Sequence, residues 1–250
     1  MITQYYRPTT LDEALKFLSR PNTVPLGGGT LLSHGGAESV EVVDLQALGL
    51  NSIRKSGNNL EIGATTTLQQ LLEDGNCAAS LKSALKLEAP LNLRNAATVA
   101  GAIAVSDGGS TFVTALLALD AKLTILDPKS KSVGLGDYLP LRPRGLITSI
   151  TIPVNVKTAF DYVARTPDDK PIVCVALTQW NSGRTRLAVG GYGKAPRLAM
   201  DGTESEGLQA AAHNAFHEAS DEWASAEYRM DVAATLAKRC LTDLQDKNNH

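Results

Sequence analysis

Leu26-Gly27-Gly28-Gly29-Thr30-Leu31-Leu32 sets three of the chain's 21 glycines side by side, directly after Val24-Pro25. Glycine loses more backbone freedom on folding than any other residue. A run of it is kept where a turn needs positive φ or where something must approach the backbone closely. Two readings are open from this stretch alone. It is a tight loop that lets a strand turn, or a nest of N–H groups around phosphate oxygens with Thr30 adding a hydroxyl. The pattern is neither GxGxxG nor GxxxxGK[ST], so neither standard nucleotide signature applies.

Outward from the glycines, the first fifty residues read strand, helix, strand, loop, strand. Leu11, Ala14, Leu15 and Leu18 have helical spacing, with Thr9 or Thr10 as N-cap and Glu13 placed to close a capping box. Val24–Leu26 and Val40–Leu45 read as strands, the second with Asp44 near its end as a loop-anchoring carboxylate. Further on, Leu60–Ile62 alternates as a strand and Thr65 opens a helix behind a hydroxyl cap. Helices are expected at 77–87 and 111–119. A strand at 122–126 should turn at Asp127-Pro128 into a hairpin whose next strand is Leu146–Ile152. Beyond Thr158 come strands at 160–164, 172–179 and 186–191, then helices at 207–219 and 226–244, the last capped by Ser225. Strands together followed by helices together suggest an antiparallel sheet with helices on one face. At 250 residues the chain should fold as packed subdomains, with boundaries expected at 1–52, 53–157 and 158–250.

Composition narrows the function. Hydrophobic residues make up 43%, charged residues 20%, and the net charge is −2. That describes an ordinary globular protein with no basic surplus to hold nucleic acid. Cys77, Cys174 and Cys240 form no CxxC pair, so no local zinc or iron–sulfur motif and no disulfide framework is expected. The start MITQYYRPTT lacks a secretory pattern, and the longest apolar run is broken by Asp120 and Lys122. A cytoplasmic protein without membrane insertion is the expectation.

A second small-residue stretch, Leu93-Arg-Asn-Ala-Ala-Thr98-Val-Ala-Gly101-Ala-Ile-Ala104, is either a helix packing face or a close approach to a ligand. Arg94 and Asn95 are placed to support the loop or to reach an anion. Together, LGGGTLL and LRNAATVAGAIA resemble the paired pyrophosphate loops of the flavoprotein subunit of molybdenum hydroxylases. That family includes the medium subunit of aerobic carbon monoxide dehydrogenase and the flavin domain of xanthine dehydrogenase. The resemblance extends through YYRPTTLDEALKFL at the start, VVDLQALGLNSIRKSGNNLEIGATTTLQQLLED, TALLALDAKLTIL and GLITSITIP. It continues in GGYGKAPRLA and SAEYRMDVAATLAKRCL near the end.

The resemblance implies an α+β fold of the vanillyl-alcohol-oxidase (PCMH) type. Two α/β subdomains would hold non-covalent FAD between them, and a C-terminal domain of antiparallel sheet plus helices would close over the ring. It implies an electron-transfer subunit that takes electrons from a [2Fe–2S] small subunit to an external acceptor, with molybdopterin on a large partner subunit, and a dimer of heterotrimers. It carries no catalytic residue of its own in this reading. Leu26, Gly27, Gly28, Gly29, Thr30 and Leu31 on one side and Thr98 and Gly101 on the other would line the cofactor, with Ile147 and Thr111 nearby. Arg165, with Lys170 in the same loop, would stand near the flavin pyrimidine or else form an exposed turn. Four positions depart from the family pattern: Leu31 and Thr111 stand where it has Asp, and Ala100 and Ala102, in Ala100-Gly101-Ala102, where it has the first Gly and the Asn of Gly-Gly-Asn. Asp107 is a candidate replacement for the carboxylate at 111. The rival readings are a flavin-free scaffold of the same fold and a self-contained flavoenzyme.

Other signals read as structural. His213 and His217 stand at i, i+4 without a third ligand, so they read as surface histidines. Tyr228 and Arg229 serve to dock the last helix, and Trp180 and Trp223 read as packing residues.

Overall fold

The computed structural model describes residues 1–32, 39–167 and 169–246. Its opening unit is a three-stranded parallel sheet of order β1-β3-β2, built from β1 (Ile2–Tyr6), β2 (Thr23–Leu26) and β3 (Val40–Asp44), with α1 (Leu11–Leu18) as the crossover. Thr10 caps α1 by accepting the Glu13 N–H, while the Glu13 carboxylate reaches back to the Thr9 N–H. That is the box read from the sequence, shifted by one residue in its return arm.

The second unit carries a five-stranded antiparallel sheet of order β4-β5-β8-β6-β7. Two strands, a run of five helices and a second hairpin follow in the chain, with one more helix before the last strand: β4 (Ile53–Ser56), β5 (Asn59–Gly63), α2 (Leu68–Glu73), α3 (Ala79–Glu88), α4 (Leu91–Arg94), α5 (Val99–Val105), α6 (Thr111–Ala118), β6 (Lys122–Asp127), β7 (Lys129–Gly134), α7 (Leu135–Leu141) and β8 (Leu146–Pro153). The expected hairpin after β6 exists, but its second strand is β7, and α7 intervenes before β8 returns along the other edge of β6. Lys129–Gly134 is polar and exposed on an edge, so it offered no apolar alternation to read. Leu60, Ile62, Leu116, Leu123 and Ile150 form the centre of the core between this sheet and its helices.

The third unit is a four-stranded antiparallel sheet of order β12-β11-β10-β9: β9 (Lys157–Val163), β10 (Val173–Gln179), β11 (Thr185–Gly190) and β12 (Arg197–Gly202). One face packs against α8 (Leu208–Asn214) and α9 (Ala226–Asp246), the other against α6. The expectation of helices on one face alone is therefore corrected. Every residue of α6 is buried, because α3 lies on one side of it and β10 and β11 on the other. Burial of both faces also explains why β10 reads Val-Cys-Val-Ala-Leu without alternation. α8 stops at Asn214, shorter than the stretch to 219 expected from composition.

Candidate functional site

The two small-residue stretches meet. Gly27 and Gly28 lie so close to the segment before α5 that neither tolerates a side chain. A Cβ at Gly28 would sit 1.8 Å from the Ala96 carbonyl oxygen, and one at Gly27 would sit 2.5 Å from Thr98 Oγ1. Gly29 has φ +68°, the left-handed region that favours glycine. The closest partner of this backbone is thus the second loop itself. The turn reading holds at Gly29, while the close approach at Gly27 and Gly28 is to the second loop.

The amides of the two loops are used differently. At the start of α5 all three donors are spent on protein acceptors. Val99 N–H bonds the Thr66 carbonyl at 2.8 Å, Ala100 N–H the Ala64 carbonyl at 3.2 Å, and Gly101 N–H the Thr98 hydroxyl at 3.2 Å. By contrast, the N–H groups of Gly27, Gly28 and Gly29 meet no acceptor among the described residues. Backbone donors left open on a glycine loop form a concavity for an anion. A doubly charged pyrophosphate fits them.

Beside the glycines runs a cleft of about 320 Å³. Gly27–Leu32 form one wall, Thr98, Gly101, Ala104 and Val105 another, and Tyr138, Leu146 and Ile147 the floor. Its surface is predominantly apolar, as suits a site holding a largely planar organic group. Burial pushes the Tyr138 phenol above its ordinary range, against the opposing pull of the Arg142 cation, so Tyr138 stays neutral there. Leu31 lines the cleft with its side chain exposed, whereas Leu26 lies behind it near Gly29. Tyr138 was not legible as a site residue, since it comes from a helix the sequence did not announce.

A smaller, polar pocket adjoins the cleft, sharing Thr30 and Val105 with it. It opens between α5, the start of α6 and the third unit, and it holds three charged side chains, Glu88, Asp107 and Lys170. Lys170 pairs with Asp107 at 3.2 Å, and Asp107 also accepts the Gly109 N–H. Gly108 stitches this loop to the third unit through two backbone bonds, donating to Gly193 O and accepting from Gly191 N–H. The Glu88 carboxylate, from the end of α3, accepts from the Ser110 hydroxyl at 3.0 Å and the Phe112 N–H at 2.9 Å. It is the carboxylate at the N-terminus of α6, in addition to Asp107 nearby. Nothing at Glu88 in the sequence could have disclosed this, because its partners lie more than twenty residues away in another helix.

Two expected site residues, Thr111 and Arg165, stand elsewhere. Thr111 is buried and lines neither pocket; its hydroxyl donates to the Ala84 carbonyl at 2.8 Å. Arg165 lies over the Trp223 ring at 4.0 Å and pairs with Asp169, so in this loop it is Lys170 that faces the pocket. Arg94 supports the loop, gripping the Ala89 carbonyl at 2.7 Å and Gln69 at 3.0 Å. Trp223 is exposed, which corrects its reading as a packing residue; its partner is a cation, and no core covers it. Asp44 anchors its loop through the Gln46 N–H and the Tyr5 hydroxyl. Arg229 is fully buried and docks α9 through Asp221 and three carbonyls. Among the described residues no group of His, Cys, Asp and Glu could hold a metal.

Comparison with known proteins places these loops in a wider setting. Residues 1–155 match the family described as the FAD binding domain in molybdopterin dehydrogenase. The chain is 28% identical to the uncharacterised protein YgfM of Escherichia coli K12, over 98% of this chain and 97% of that one. It is 26% identical to the glyceraldehyde dehydrogenase medium chain of Sulfolobus acidocaldarius, over 96% and 97%. Among solved structures it resembles a chain of the reconstituted CO dehydrogenase from Oligotropha carboxidovorans, with a TM-score of 0.83 at 25% identity over 97% of each.

Proposed function

The chain belongs to the family of FAD-binding domains in molybdopterin dehydrogenases, and from that membership we propose that it takes electrons from a [2Fe–2S] partner and passes them to an external acceptor. It is a medium-chain, FAD-binding oxidoreductase subunit with the vanillyl-alcohol-oxidase-type fold. The proposed assembly joins it to a large molybdopterin subunit and a small iron–sulfur subunit, as a cytoplasmic dimer of heterotrimers. No helix among the described residues is long and apolar enough to cross a membrane.

The open amides of Gly27, Gly28 and Gly29 carry the cofactor assignment. They would hold the pyrophosphate, with Thr98 and Gly101 as the buttress beneath them. The apolar cleft over Ile147 and Tyr138 would take the adenosine end. The polar pocket, where the third unit contributes Lys170, would take the ring end. FAD, when bound, supplies a ring that can accept and release electrons, which is chemistry no side chain of this chain offers. The chain's own residues bind it, exclude water with Val105 and Leu146, and set the charge around it. One observation favours a second reading, a flavin-free scaffold: the second loop spends its Val99, Ala100 and Gly101 amides on protein acceptors.

Flavin content decides. The purified chain is denatured and its released cofactor identified. Equimolar FAD supports the proposal; a colourless chain that also fails to take up added FAD overturns it and favours the scaffold.

A further inference from the structure

We infer that Glu88 is a positioning residue for the ring end of the site, where it fixes the start of α6 and leaves the polar pocket one negative charge that no cationic side chain pairs with among the described residues. The inference rests on the FAD reading above. Of the three charged side chains lining the pocket, Asp107 and Lys170 neutralise one another. Glu88 enters no salt bridge among the described residues; its partners are the Ser110 hydroxyl and the Phe112 N–H, with the Thr111 hydroxyl at 3.2 Å. The single Thr111 proton is engaged by the nearer Ala84 carbonyl at 2.8 Å. The nearby Arg94 is spent on the carbonyls of Lys86 and Ala89.

Two effects follow from this arrangement. A carboxylate at a helix N-terminus complements the positive end of the helix and satisfies an otherwise orphaned N–H. It thereby fixes the 106–110 segment, which forms the pocket wall and carries the Gly108 stitch to the third unit. The same negative charge, in a partly desolvated pocket, disfavours adding electrons to a group housed there. Glu88 is thus expected to hold the bound ring at a lower potential than a neutral residue would.

The test is the midpoint potential of the FAD-loaded full chain, measured by dye-equilibrated titration in wild type, Glu88→Gln and Glu88→Asp. Flavin loading of the wild type comes first, because failure there refutes the FAD reading and not this inference. In Glu88→Gln, which keeps the size and one acceptor, the potential should rise by about 30 mV, a tenfold shift in the oxidised-to-reduced ratio for a two-electron couple. Glu88→Asp should stay near wild type. An unchanged or lower potential in loaded Glu88→Gln overturns the inference. So does loss of loading in both variants, which would make Glu88 a structural cap alone. Loss in Glu88→Gln with retention of loading and potential in Glu88→Asp supports it, since the carboxylate and not its length is then required.

Discussion

The carbonyl oxygen of Ala96 occupies the space into which a side chain at Gly28 would project, 1.8 Å from the missing Cβ. Gly28→Ala should therefore destabilise the chain before any flavin is involved. The methyl must displace backbone, which costs about 1–3 kcal/mol by analogy with an overpacked core, several degrees of Tm at this length. Thermal unfolding of the flavin-free variant checks this. An unchanged Tm would mean the loops separate freely and the latch is not structural.

Thr98→Val should separate buttress from cradle. The variant keeps the bulk under Gly27 but loses the hydroxyl that accepts the Gly101 N–H. Loss of an N-cap costs about 1 kcal/mol, roughly 2–4 °C in Tm, while flavin stoichiometry should be retained. Loss of FAD at unchanged Tm would instead place the Thr98 hydroxyl on the cofactor.

Acid stability should depend on Asp201. Its carboxyl is held below the ordinary value near 3.8, chiefly by the hydrogen bond from Arg184, with Arg186 adding to the effect. A depressed folded-state pKa contributes stability that is fully present above the unfolded value and is lost as pH falls through the folded one. Asp201→Asn should therefore lower Tm at neutral pH and flatten its decline below about pH 4. Parallel Tm profiles for variant and wild type would refute the linkage.

All three thiols should be silent in the native chain. Burial pushes Cys77 and Cys174 up to about 12, and Cys240 is equally enclosed. A thiol that stays protonated does not attack a disulfide reagent. Treatment with such a reagent should label none of the three cysteines before denaturation and all of them after it. Rapid native labelling would reveal opening of the core around α3, β10 or α9.

Local physics wrote much of this structure plainly. Thr10 with Glu13, and the periodicity of 11–18, gave α1; Ser225 caps the last helix through the Tyr228 N–H as its hydroxyl suggested. The glycine loop was conspicuous because glycine is costly unless geometry needs it. What could not be read was set by contacts distant in sequence. Glu88 reaches α6 from another helix, Tyr138 reaches the cleft on a helix that no strong periodicity marked, and Lys170 rather than Arg165 faces the pocket because Trp223 captures the arginine. β7 escaped notice because an exposed edge strand carries no apolar alternation.

The full burial of α6 has a consequence for how the chain can be divided. The family match ends at residue 155, yet the helix at its heart rests on Ala176 and Ala188 from the strands beyond. The flavin-binding part is thus a unit of homology without being a unit of solubility. Separated at that border, it would carry a bare oily face where the third sheet had been, and its two halves are best regarded as co-dependent lodgers sharing one wall.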